Sequence, residues 1–529
     1  MILMVRIFVV GLLFVAASFQ GAIADQLPTQ DQLLNAETSS DWLYVNHDYA
    51  GTRYVKLGAI NKDNVARLAP ICAHDAGDDG PFYTAPIVHA GVLYFTARLA
   101  TIAIDAASCA VKWRHDWKPR KRIVWPQNRG VAIASGLVVR GTTDGFLIAL
   151  DAETGAERWV REIASAAKGE TLTMAPVIFD DLVIIGPAGS EHAIKGWVGA
   201  FRLGDGAPVW RFNTVPRAGE PGADTWRMKP DVVAGGGGVW TPFSIDAETG
   251  SLYVAVTNPA PDFLGEARPG DNLYTNSMVV LDVHTGKLKW YRQMVPHDVH
   301  DWDLTQVSPL FSTRIDGQQR KLVATAGKDG MLRVFDRNRR NKVYETAVTK
   351  RENVDQPISE EGTHACPGVF GGVQWSAPAY NPNLNALFVP SVEWCGIFTR
   401  AQEAIYVKGH LYMGGRYMPD SKWKGWLTAI DASTGTIRWR YESKRPMLAA
   451  ATTTASDLVF TGELTGDFLA LDGQTGAVLF RHNLDGAIAG GIVTYMVEDR
   501  QYVAVASGST TGYWSGPYAT AKITLFAVK

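Results

Sequence analysis

A motif that recurs along the chain constrains the fold more than any other feature of its 529 residues. In each copy, a run of alternating apolar residues ends at an Asp, a Thr-Gly turn follows, and a second run ends at an aromatic residue. The clearest copies are residues 148–159 and 428–439, and seven copies are found between residues 102 and 480. The pattern predicts a β-hairpin in which Asp and Thr cap the turn, Gly adopts a positive φ, and the aromatic side chain packs between adjacent sheets.

Further strand-like runs lie between the copies, so each repeat contains about four antiparallel strands. These runs include residues 91–96, 137–140, 182–185 and 458–461, whereas extended helical periodicity is scarce. Many four-stranded units in series indicate a β-propeller, because each sheet buries its faces against its neighbours. We predict an all-β fold, an eight-bladed β-propeller of four-stranded antiparallel blades, in which residues 41–44 and 519–528 form the two halves of the eighth blade.

The N-terminal segment has the pattern of a secretory signal. Residues 1–24 contain one basic residue, Arg6, then an apolar run and a small-x-small end at residues 22–24. The apolar run is too short to span a bilayer, so we predict a cleaved signal peptide at 1–24 and a single propeller domain at 25–529. Export to a bacterial periplasm follows, without stable membrane insertion after cleavage.

The charge balance gives no support for a polyanionic partner. The chain has 51 Lys and Arg residues against 53 Asp and Glu residues, so it presents no general attraction for nucleic acid or an anionic membrane. Its four cysteines, in an exported chain, favour disulfides, and separation along the chain favours Cys72 with Cys109 and Cys366 with Cys395. Three pairings remain open at this point. No Cys-x-x-Cys-His motif occurs, so the sequence carries no covalently attached c-type haem.

One acidic segment stands out from the repeats. Residues 296–306 place three carboxylates, two imidazoles and an indole just after a strand that ends in Trp290. Asp301 and Asp303 are two residues apart, so both carboxylates project to the same side of an extended segment and are able to ligate a hard cation. The alternative is a solvated acidic loop. His297 and His300 have the spacing of a helical metal pair, but the segment does not have a helical pattern.

The motifs together resemble a known family. The Asp-x-x-Thr-Gly-x-x-x-Trp repeat in an exported chain, with Trp-Val-Gly-Ala-Phe at 197–201 and Gly-Asp-Asn-Leu-Tyr at 270–274, is similar to pyrroloquinoline-quinone-dependent alcohol dehydrogenases of the methanol and ethanol type. The resemblance covers nearly the whole chain after residue 24. It implies a propeller dehydrogenase with pyrroloquinoline quinone and either Ca²⁺ or a lanthanide ion. Cys366 and Cys395 also match a disulfide pair of the family.

The resemblance implies a metal site of four residues. Residues 184–191 match the family's Ile-Ile-Gly-x-x-Gly-x-Glu segment and place Glu191 at a metal ligand, while Asn258 matches the metal-binding Asn that follows a strand. Asp301 matches the catalytic Asp, which also ligates the metal. Asp303 occupies the position of a further carboxylate in lanthanide-dependent members. Glu, Asn and Asp oxygens suit a hard cation.

The resemblance also implies a cofactor platform. Trp240, after four glycines, matches the indole on which the quinone stacks, and Arg129 and Thr173 match groups that bind the quinone's carboxylates. Lys328 matches a basic residue near the reactive oxygens, and Gln374 occupies a cofactor-binding position at which the family has Asn.

Several positions depart from the family pattern. The adjacent-cysteine disulfide that covers the quinone is missing, and residues 123–125 replace it, with Trp125 as a candidate stacking ring. The other departures are Tyr83 for a Glu, Ala188 for a Ser, Gly238 for a Thr and Leu448 for a substrate-side Trp. The metal and catalytic positions are retained, whereas residues around them differ, which indicates retained chemistry with a changed substrate or affinity.

The predicted function is therefore a periplasmic quinoprotein dehydrogenase that oxidises an alcohol or a related hydroxyl or aldehyde substrate. Electrons would pass to a separate cytochrome c. Two alternatives are a non-catalytic periplasmic propeller that acts as a protein scaffold, as in outer-membrane assembly, and a sugar or polymer-alcohol dehydrogenase on the same fold. The scaffold alternative is favoured by the changed residues around the site, and the enzyme by the joint match at Glu191, Asn258 and Asp301.

Overall fold

The structure is a computed structural model that describes residues 28–228, 232–514 and 516–529. The signal peptide predicted at residues 1–24 lies outside the described residues. Short antiparallel strands dominate the chain, and the helices are single turns. In the described ranges these are the α-helix Gln30–Leu34 and the 3₁₀ helices Ala36–Thr38, Val65–Arg67, Ala166–Lys168, Ser190–His192, Ala223–Thr225 and Gly265–Ala267. None of these helices has the length and apolar character of a membrane span.

Sheets 1 to 4 are defined by consecutive antiparallel strands. Sheet 1 contains Ile87–His89, Val92–Thr96, Ala100–Asp105 and Val111–Asp116. Sheet 2 contains Ala132–Ala134, Leu137–Gly141, Phe146–Asp151 and Glu157–Glu162. Sheet 3 contains Val177–Phe179, Leu182–Ile185, Trp197–Arg202 and Pro208–Asn213. Sheet 4 contains Ser244–Asp246, Ser251–Val256, Ser277–Asp282 and Leu288–Gln293.

Sheets 5 to 8 repeat this order with small additions. Sheet 5 contains Leu304–Gln306, Gln318–Gly327, Met331–Asp336 and Lys342–Ala347, with Leu310–Ile315 paired to its second strand. Sheet 6 contains Ala379–Asn381, Ala386–Glu393, Lys424–Asp431 and Ile437–Ser443. Sheet 7 contains Thr452–Thr454, Leu458–Gly462, Asp467–Asp472 and Val478–Asn483, with Tyr54–Val55 parallel to the first strand. Sheet 8 contains Ile492–Val497, Arg500–Ser507, Lys522–Val528 and, from the N-terminal region, Leu68–Asp75.

The core consists of apolar layers between neighbouring sheets. One buried cluster joins sheets 1 and 2, and others join sheets 2 to 4, 4 and 5, 5 and 6, 6 and 7, and 7 and 8. A further cluster contains Ile102 of sheet 1 and Leu525 of sheet 8, so the last sheet packs against the first. This is the arrangement of a β-propeller, in which each sheet is covered on both faces.

The repeat motif forms the hairpin that the sequence predicts. In sheet 2, Asp151 Oδ1 accepts hydrogen bonds of 2.8 Å from both the backbone N–H and the hydroxyl of Thr154, and Gly155 has a φ of +73°. The Trp113 ring, from the outer strand of sheet 1, lies over this turn and donates to the Ala152 carbonyl oxygen at 2.9 Å. Trp159, Trp210 and Trp439 make the same indole-to-carbonyl bond to the turn of the following sheet.

The closing sheet differs from the prediction. The last strand, Lys522–Val528, pairs with Leu68–Asp75 rather than with residues 41–44. Trp42 instead forms an isolated antiparallel bridge with Val88 of sheet 1. The error has a physical reason, since Leu68–Asp75 is an outer strand with largely exposed side chains and therefore lacks the apolar alternation that identifies a strand.

Both favoured disulfides are present, Cys72–Cys109 and Cys366–Cys395. Cys72 follows a register shift in the outer strand of sheet 8, and Trp113 has the same position in sheet 1. Cys109 lies four residues after Asp105, which is the spacing of Gly155 from Asp151. The first disulfide thus replaces the packing of Trp on Gly at the contact between sheets 8 and 1.

Two insertions within the repeats, between Trp210 and Trp290 and between Tyr344 and Trp439, add small sheets. One pairs Gly235–Gly236 with Pro259–Ala260, and the other contains Thr363–Ala365, Gly396–Arg400 and Gly415–Pro419. Both contribute residues next to the site described below, which they cover from one side.

Candidate active site

Residues that are far apart in the sequence meet in one cavity of about 770 Å³. Eight of the nine predicted site residues line it: Arg129, Thr173, Glu191, Trp240, Asp301, Asp303, Lys328 and Gln374. The ninth, Asn258, lies beside it, because its backbone N–H donates to Asp303 Oδ1 at 2.9 Å. The tertiary structure therefore brings together all the positions that the family resemblance selected.

The acidic segment 296–306 is buried rather than solvated. Asp301 is 3% exposed and Asp303 is 1% exposed, so the prediction of a solvated loop is wrong for these carboxylates. Asp298 organises the turn, since its carboxylate accepts from the backbone N–H groups of His300 and Trp302 at 2.9 and 2.8 Å. With these bonds in place, Asp301 adopts a φ of +56° and its side chain reaches the cavity.

Lys328 links the two carboxylates of this loop. Its ammonium nitrogen lies 3.2 Å from Asp301 Oδ2 and 2.8 Å from Asp303 Oδ2. The Trp240 indole N–H also donates to Asp303 Oδ2, at 3.2 Å. A buried cation between two buried carboxylates partly offsets their repulsion, and it fixes both side chains toward the cavity.

The electrostatic environment disfavours ionised carboxyls at Asp301 and Glu191. Burial raises the pKa of Asp301 well above its usual value; Lys328 opposes this, and the charges of Asp303 and Glu191 add to it. Burial and the Asp303 charge raise the pKa of Glu191. Lys328 shows the opposite balance, since burial lowers its pKa but the negative charges of Asp301, Asp303 and Glu191 raise it overall. An additional cation would relieve this excess of negative charge.

Two acceptor atoms fit a metal ion. Among the described residues, the buried oxygens Asn258 Oδ1 and Asp301 Oδ1 have no hydrogen-bond partner. Asn258 contacts Asp303 through its backbone N–H, and Asp301 shares the Lys328 ammonium with Asp303. An amide oxygen and a carboxylate oxygen are ligands that suit a hard cation. Glu191 is held nearby, because Ser190 bonds Thr257 at 2.8 Å and accepts from the Gly238 N–H at 2.9 Å. The donor set therefore fits an oxygen-ligated cation.

Donor groups in the same cavity fit an anion. Arg129 Nε and Nη1 and Thr173 Oγ1 are buried without a hydrogen-bond partner in the described parts of the chain. Burial lowers the pKa of Arg129 to about 10, so it stays charged at neutral pH. Its guanidinium lies 4.7 Å from the centre of the Trp240 ring and 5.4 Å from that of Trp375. A flat, polyanionic ligand is matched by these aromatic faces and donors.

The positions that depart from the family pattern also lie near this cavity. Trp125 lines it and makes an edge contact with His192, and Tyr83 lines it against the Trp375 ring at 4.5 Å. Leu448 is buried in the aromatic cluster that contains Tyr83 and Trp394. The Gln374 amide donates to the Gly371 carbonyl at 2.7 Å.

Aromatic side chains form the outer half of the cavity. The Phe370 ring lies 5.3 to 5.6 Å from the rings of Tyr513, Trp394 and Trp514. Trp394 also contacts Trp423 at 5.0 Å. These aromatic rings line the cavity together with the charged groups of Arg129, Glu191, Asp301, Asp303 and Lys328.

In the described part of the chain, neither the pair His297 and His300 nor a separate trio of possible ligands forms a metal site. His300 stacks on Trp302 at 4.1 Å, burial lowers its pKa to about 4, and the His297 Nδ1 contacts the Gly270 carbonyl at 2.8 Å. Among the described residues, the trio with ligand atoms within 4.8 Å of one another is Glu352, His364 and Cys366. The Cys366 sulfur is bonded to Cys395, so this trio offers no thiolate ligand.

The sequence did not reveal the roles of two acids in this region. Asp298 is one of the three carboxylates of segment 296–306, and its side chain accepts hydrogen bonds from the loop backbone. Asp262 was not selected, although it lies four residues after Asn258 and is 1% exposed. The apolar neighbours Pro261 and Phe263 were a signal, since an Asp that is buried among apolar residues requires a partner.

The fold and this cavity define a propeller that combines an acidic, oxygen-rich centre with a basic and aromatic platform. Residues 42–352 match the family described as “Glucose/ethanol/alcohol dehydrogenase, beta-propeller domain”. The chain therefore belongs to the pyrroloquinoline-quinone-dependent alcohol dehydrogenase family, and it is an oxidoreductase that uses pyrroloquinoline quinone with a metal ion. Residues 423–521 also match a family described as “Outer membrane protein assembly factor BamB”.

Individual relatives agree with this assignment. A quinohemoprotein alcohol dehydrogenase of Comamonas testosteroni is 30% identical, with 92% of this chain and 74% of the relative covered. A lanthanide-dependent methanol dehydrogenase of Methylacidiphilum fumariolicum is 28% identical, with 92% and 87% covered. The solved structure of a europium-containing methanol dehydrogenase superposes with a TM-score of 0.87 at 26% identity and covers 94% of this chain and all of that chain.

Proposed function

We propose that this chain oxidises a primary alcohol in the cavity, with Asp301 as the general base. The observation that carries this proposal is the buried, unpartnered Asp301 Oδ1 in a cavity shared with Arg129 and Trp240. Burial raises the pKa of the Asp301 carboxyl, and a cation bound beside it would restore the carboxylate, which is the form that accepts a proton. Asp301 therefore takes the hydroxyl proton of the substrate.

Glu191, Asn258, Asp301 and Asp303 hold the cation in this proposal. Asn258 Oδ1 and Asp301 Oδ1 supply free lone pairs, and Lys328 limits the repulsion between the two Asp residues. When bound, the cation acts as a Lewis acid on the quinone, which accepts hydride from the substrate carbon. The ion is Ca²⁺ or a lanthanide.

Arg129, Thr173, Trp240, Lys328 and Gln374 bind the quinone. Trp240 supplies a flat face beneath it, and the free donors of Arg129 and Thr173 bind its carboxylates. Lys328 lines the same cavity and contacts both Asp301 and Asp303. Trp125 lines the same cavity, and in this proposal it covers the side at which other members of the family have a disulfide.

The outer half of the cavity sets the class of alcohol. Phe370 and the rings around it form an apolar wall large enough for a substituent bigger than a methyl group. Aromatic faces also bind sugar rings, so a sugar or polymer alcohol is the second candidate, and comparison of substrates separates the two.

The remaining parts of the proposal concern the whole chain. The eight sheets support eight blades in a single domain at 25–529, with residues 1–24 removed on export. Two disulfides suit an oxidising compartment, here the periplasm. In this proposal, electrons leave through a separate cytochrome c.

A titration tests the proposal directly. Purified, metal-stripped protein is titrated with pyrroloquinoline quinone in the presence of Ca²⁺ or La³⁺, and quinone absorbance and melting temperature are followed. We expect metal-dependent binding of the quinone and a rise in melting temperature. Failure to bind with either ion would contradict the proposal and favour the scaffold alternative.

A further inference from the structure

Residues 509–514, the rim loop, carry part of the aromatic wall of the cavity. Tyr513 and Trp514 lie in this loop, and the centres of their rings are 5.3 and 5.6 Å from that of the Phe370 ring. Tyr513 is 52% exposed, so this part of the wall faces solvent on one side. Contacts on the inner side of the rim loop therefore decide how firmly the wall is held.

Tyr83 contacts the rim loop from the inner side. Its hydroxyl oxygen accepts a hydrogen bond of 2.7 Å from the Thr511 backbone N–H and lies 3.0 Å from the Thr511 hydroxyl oxygen. Tyr83 is 2% exposed, and burial raises the pKa of its hydroxyl, which is therefore neutral near pH 7. A neutral hydroxyl has one proton and two lone pairs, so both contacts with Thr511 form hydrogen bonds at the same time.

Bonds within the rim loop connect Thr511 to the aromatic wall. The Trp514 backbone N–H donates to the Thr511 carbonyl oxygen at 3.0 Å, and the Thr510 hydroxyl donates to the Trp514 carbonyl oxygen at 2.8 Å. In the described ranges, the hydrogen bonds that join residues 511–514 to residues outside the loop both involve the Tyr83 hydroxyl. The position of the turn that carries Trp514 thus depends on this one hydroxyl group.

The ring of Tyr83 is itself held by the inner part of the cavity. It packs on the Trp375 ring, with 4.5 Å between the ring centres. Trp375 is fixed at two points, since its indole N–H donates to the Ala489 carbonyl oxygen at 2.7 Å and its own carbonyl oxygen accepts from the Gln306 side chain at 2.8 Å. Tyr83 therefore connects a well-anchored indole to a loop that has few other anchors.

We propose that Tyr83 is a positioning residue that determines substrate specificity, because its hydroxyl holds the rim loop where Tyr513 and Trp514 close the aromatic wall around the substituent of the alcohol. The inference rests on the proposed function and deepens it. In this proposal, benzyl alcohol packs its ring against the wall, whereas ethanol makes little contact with it. Loss of the Tyr83 hydroxyl then weakens binding of the larger alcohol selectively.

Tyr83→Phe tests this role, since it removes the hydroxyl and keeps the ring on Trp375. The holoenzyme, loaded with quinone and cation, is assayed with benzyl alcohol and with ethanol. We expect KM for benzyl alcohol to rise about three- to tenfold, as for the loss of one or two neutral hydrogen bonds, while KM and kcat for ethanol and the affinity for the quinone change less than about twofold. Tyr495→Phe is the matched control, because the buried Tyr495 hydroxyl donates to the Ala106 carbonyl oxygen at 2.7 Å away from the cavity, and it should leave both KM values unchanged.

A double-mutant cycle shows whether Tyr83 acts through the wall. In a Trp514→Ala background the wall is already incomplete, so adding Tyr83→Phe should change KM for benzyl alcohol by less than about twofold. Hydrogen exchange of the backbone at residues 511–514 gives a readout that does not depend on turnover, and it should be faster in Tyr83→Phe than in the wild type or in Tyr495→Phe.

The outcomes separate this inference from the proposed function. An unchanged KM for benzyl alcohol in Tyr83→Phe, an equal rise for ethanol, a loss of quinone affinity, or additive effects of Tyr83→Phe and Trp514→Ala would overturn the inference and leave the proposed function standing. A wild type that does not bind the quinone with either ion would overturn both.

Discussion

Asp301 illustrates how single residues define this site. Its type and neighbours were predictable, but its φ of +56° and its contact with Lys328 depend on the turn that Asp298 holds. Lys328 is 27 residues further along the chain, so no local pattern connects the two. At the residue scale, the sequence identifies the ionisable side chains, and the fold decides which of them lie close enough to interact electrostatically.

We expect Asp301→Asn to lower kcat at least about 100-fold, because the amide cannot accept the substrate proton. Dye-linked turnover with saturating quinone and cation is the measurement, and circular dichroism checks the fold. Asp355→Asn, an exposed acid outside the cavity, is the control and should keep full activity. Undiminished turnover in Asp301→Asn would refute its role as base.

Phe370 provides a test of the substrate class. We expect Phe370→Ala to lower kcat/KM for an alcohol with an aromatic substituent about three- to tenfold relative to ethanol, since one aromatic contact contributes about 0.5–1.5 kcal/mol. Tyr518→Ala, an exposed aromatic outside the cavity, should leave the ratio unchanged. Equal losses for both alcohols in Phe370→Ala would show that the wall does not select the substituent.

The hairpin with its Trp is the element on which the fold is built. The Trp of one sheet lies over the Gly of the next, and a Cβ placed on Gly155 would lie 2.7 Å from the Trp113 ring. Arg340 occupies this Gly position in sheet 5 with a φ of +58°, and its guanidinium lies 5.8 Å from the Trp290 ring. The hairpin was predictable from its turn chemistry, whereas the neighbour that each Trp contacts is a property of the packed sheets.

We expect Gly155→Ala to destabilise the protein more than Gly317→Ala. Both glycines have similar positive φ values of +73° and +74°, so in both variants the backbone conformation lowers the free energy of unfolding by about 1–2 kcal/mol. Only Gly155 is in contact with a ring, and overpacking adds about 1–3 kcal/mol, whereas a Cβ on Gly317 meets nothing within 4 Å. Urea unfolding measures the difference, and equal losses would contradict the packing argument.

Closure is the feature that belongs to the whole molecule. Leu68–Asp75 completes sheet 8 beside the last strand, although 454 residues of sequence separate Leu68 from Lys522. Cys72 and Cys109 occupy the Trp and Gly positions at this contact and form a covalent bond there. The contact between the first and last sheets is thus the one place where a disulfide replaces the indole packing seen at Trp113, Trp159, Trp210 and Trp439.

We expect the double variant Cys72→Ala with Cys109→Ala to lose about 3–4 kcal/mol of stability, as for other disulfides that close loops of this length. Hydrogen exchange should increase selectively in Leu68–Asp75 and Lys522–Val528, because this contact closes the ring. Cys366→Ala with Cys395→Ala, in an insertion, should leave the exchange of these two strands unchanged. Faster exchange everywhere, without preference for the closing strands, would argue against a specific role in closure.

The sequence by itself determined the repeat and the all-β class, because turn chemistry and alternating burial are local properties that each hairpin repeats. Its resemblance to a known family selected the candidate site residues. Tertiary structure alone decided that Leu68–Asp75 closes the last sheet, that Lys328 links Asp301 to Asp303, and that Asp262 is buried. Exposed outer strands lack an apolar pattern, and charge interactions depend on distance in space. Neither property is encoded in the spacing of residues along the chain.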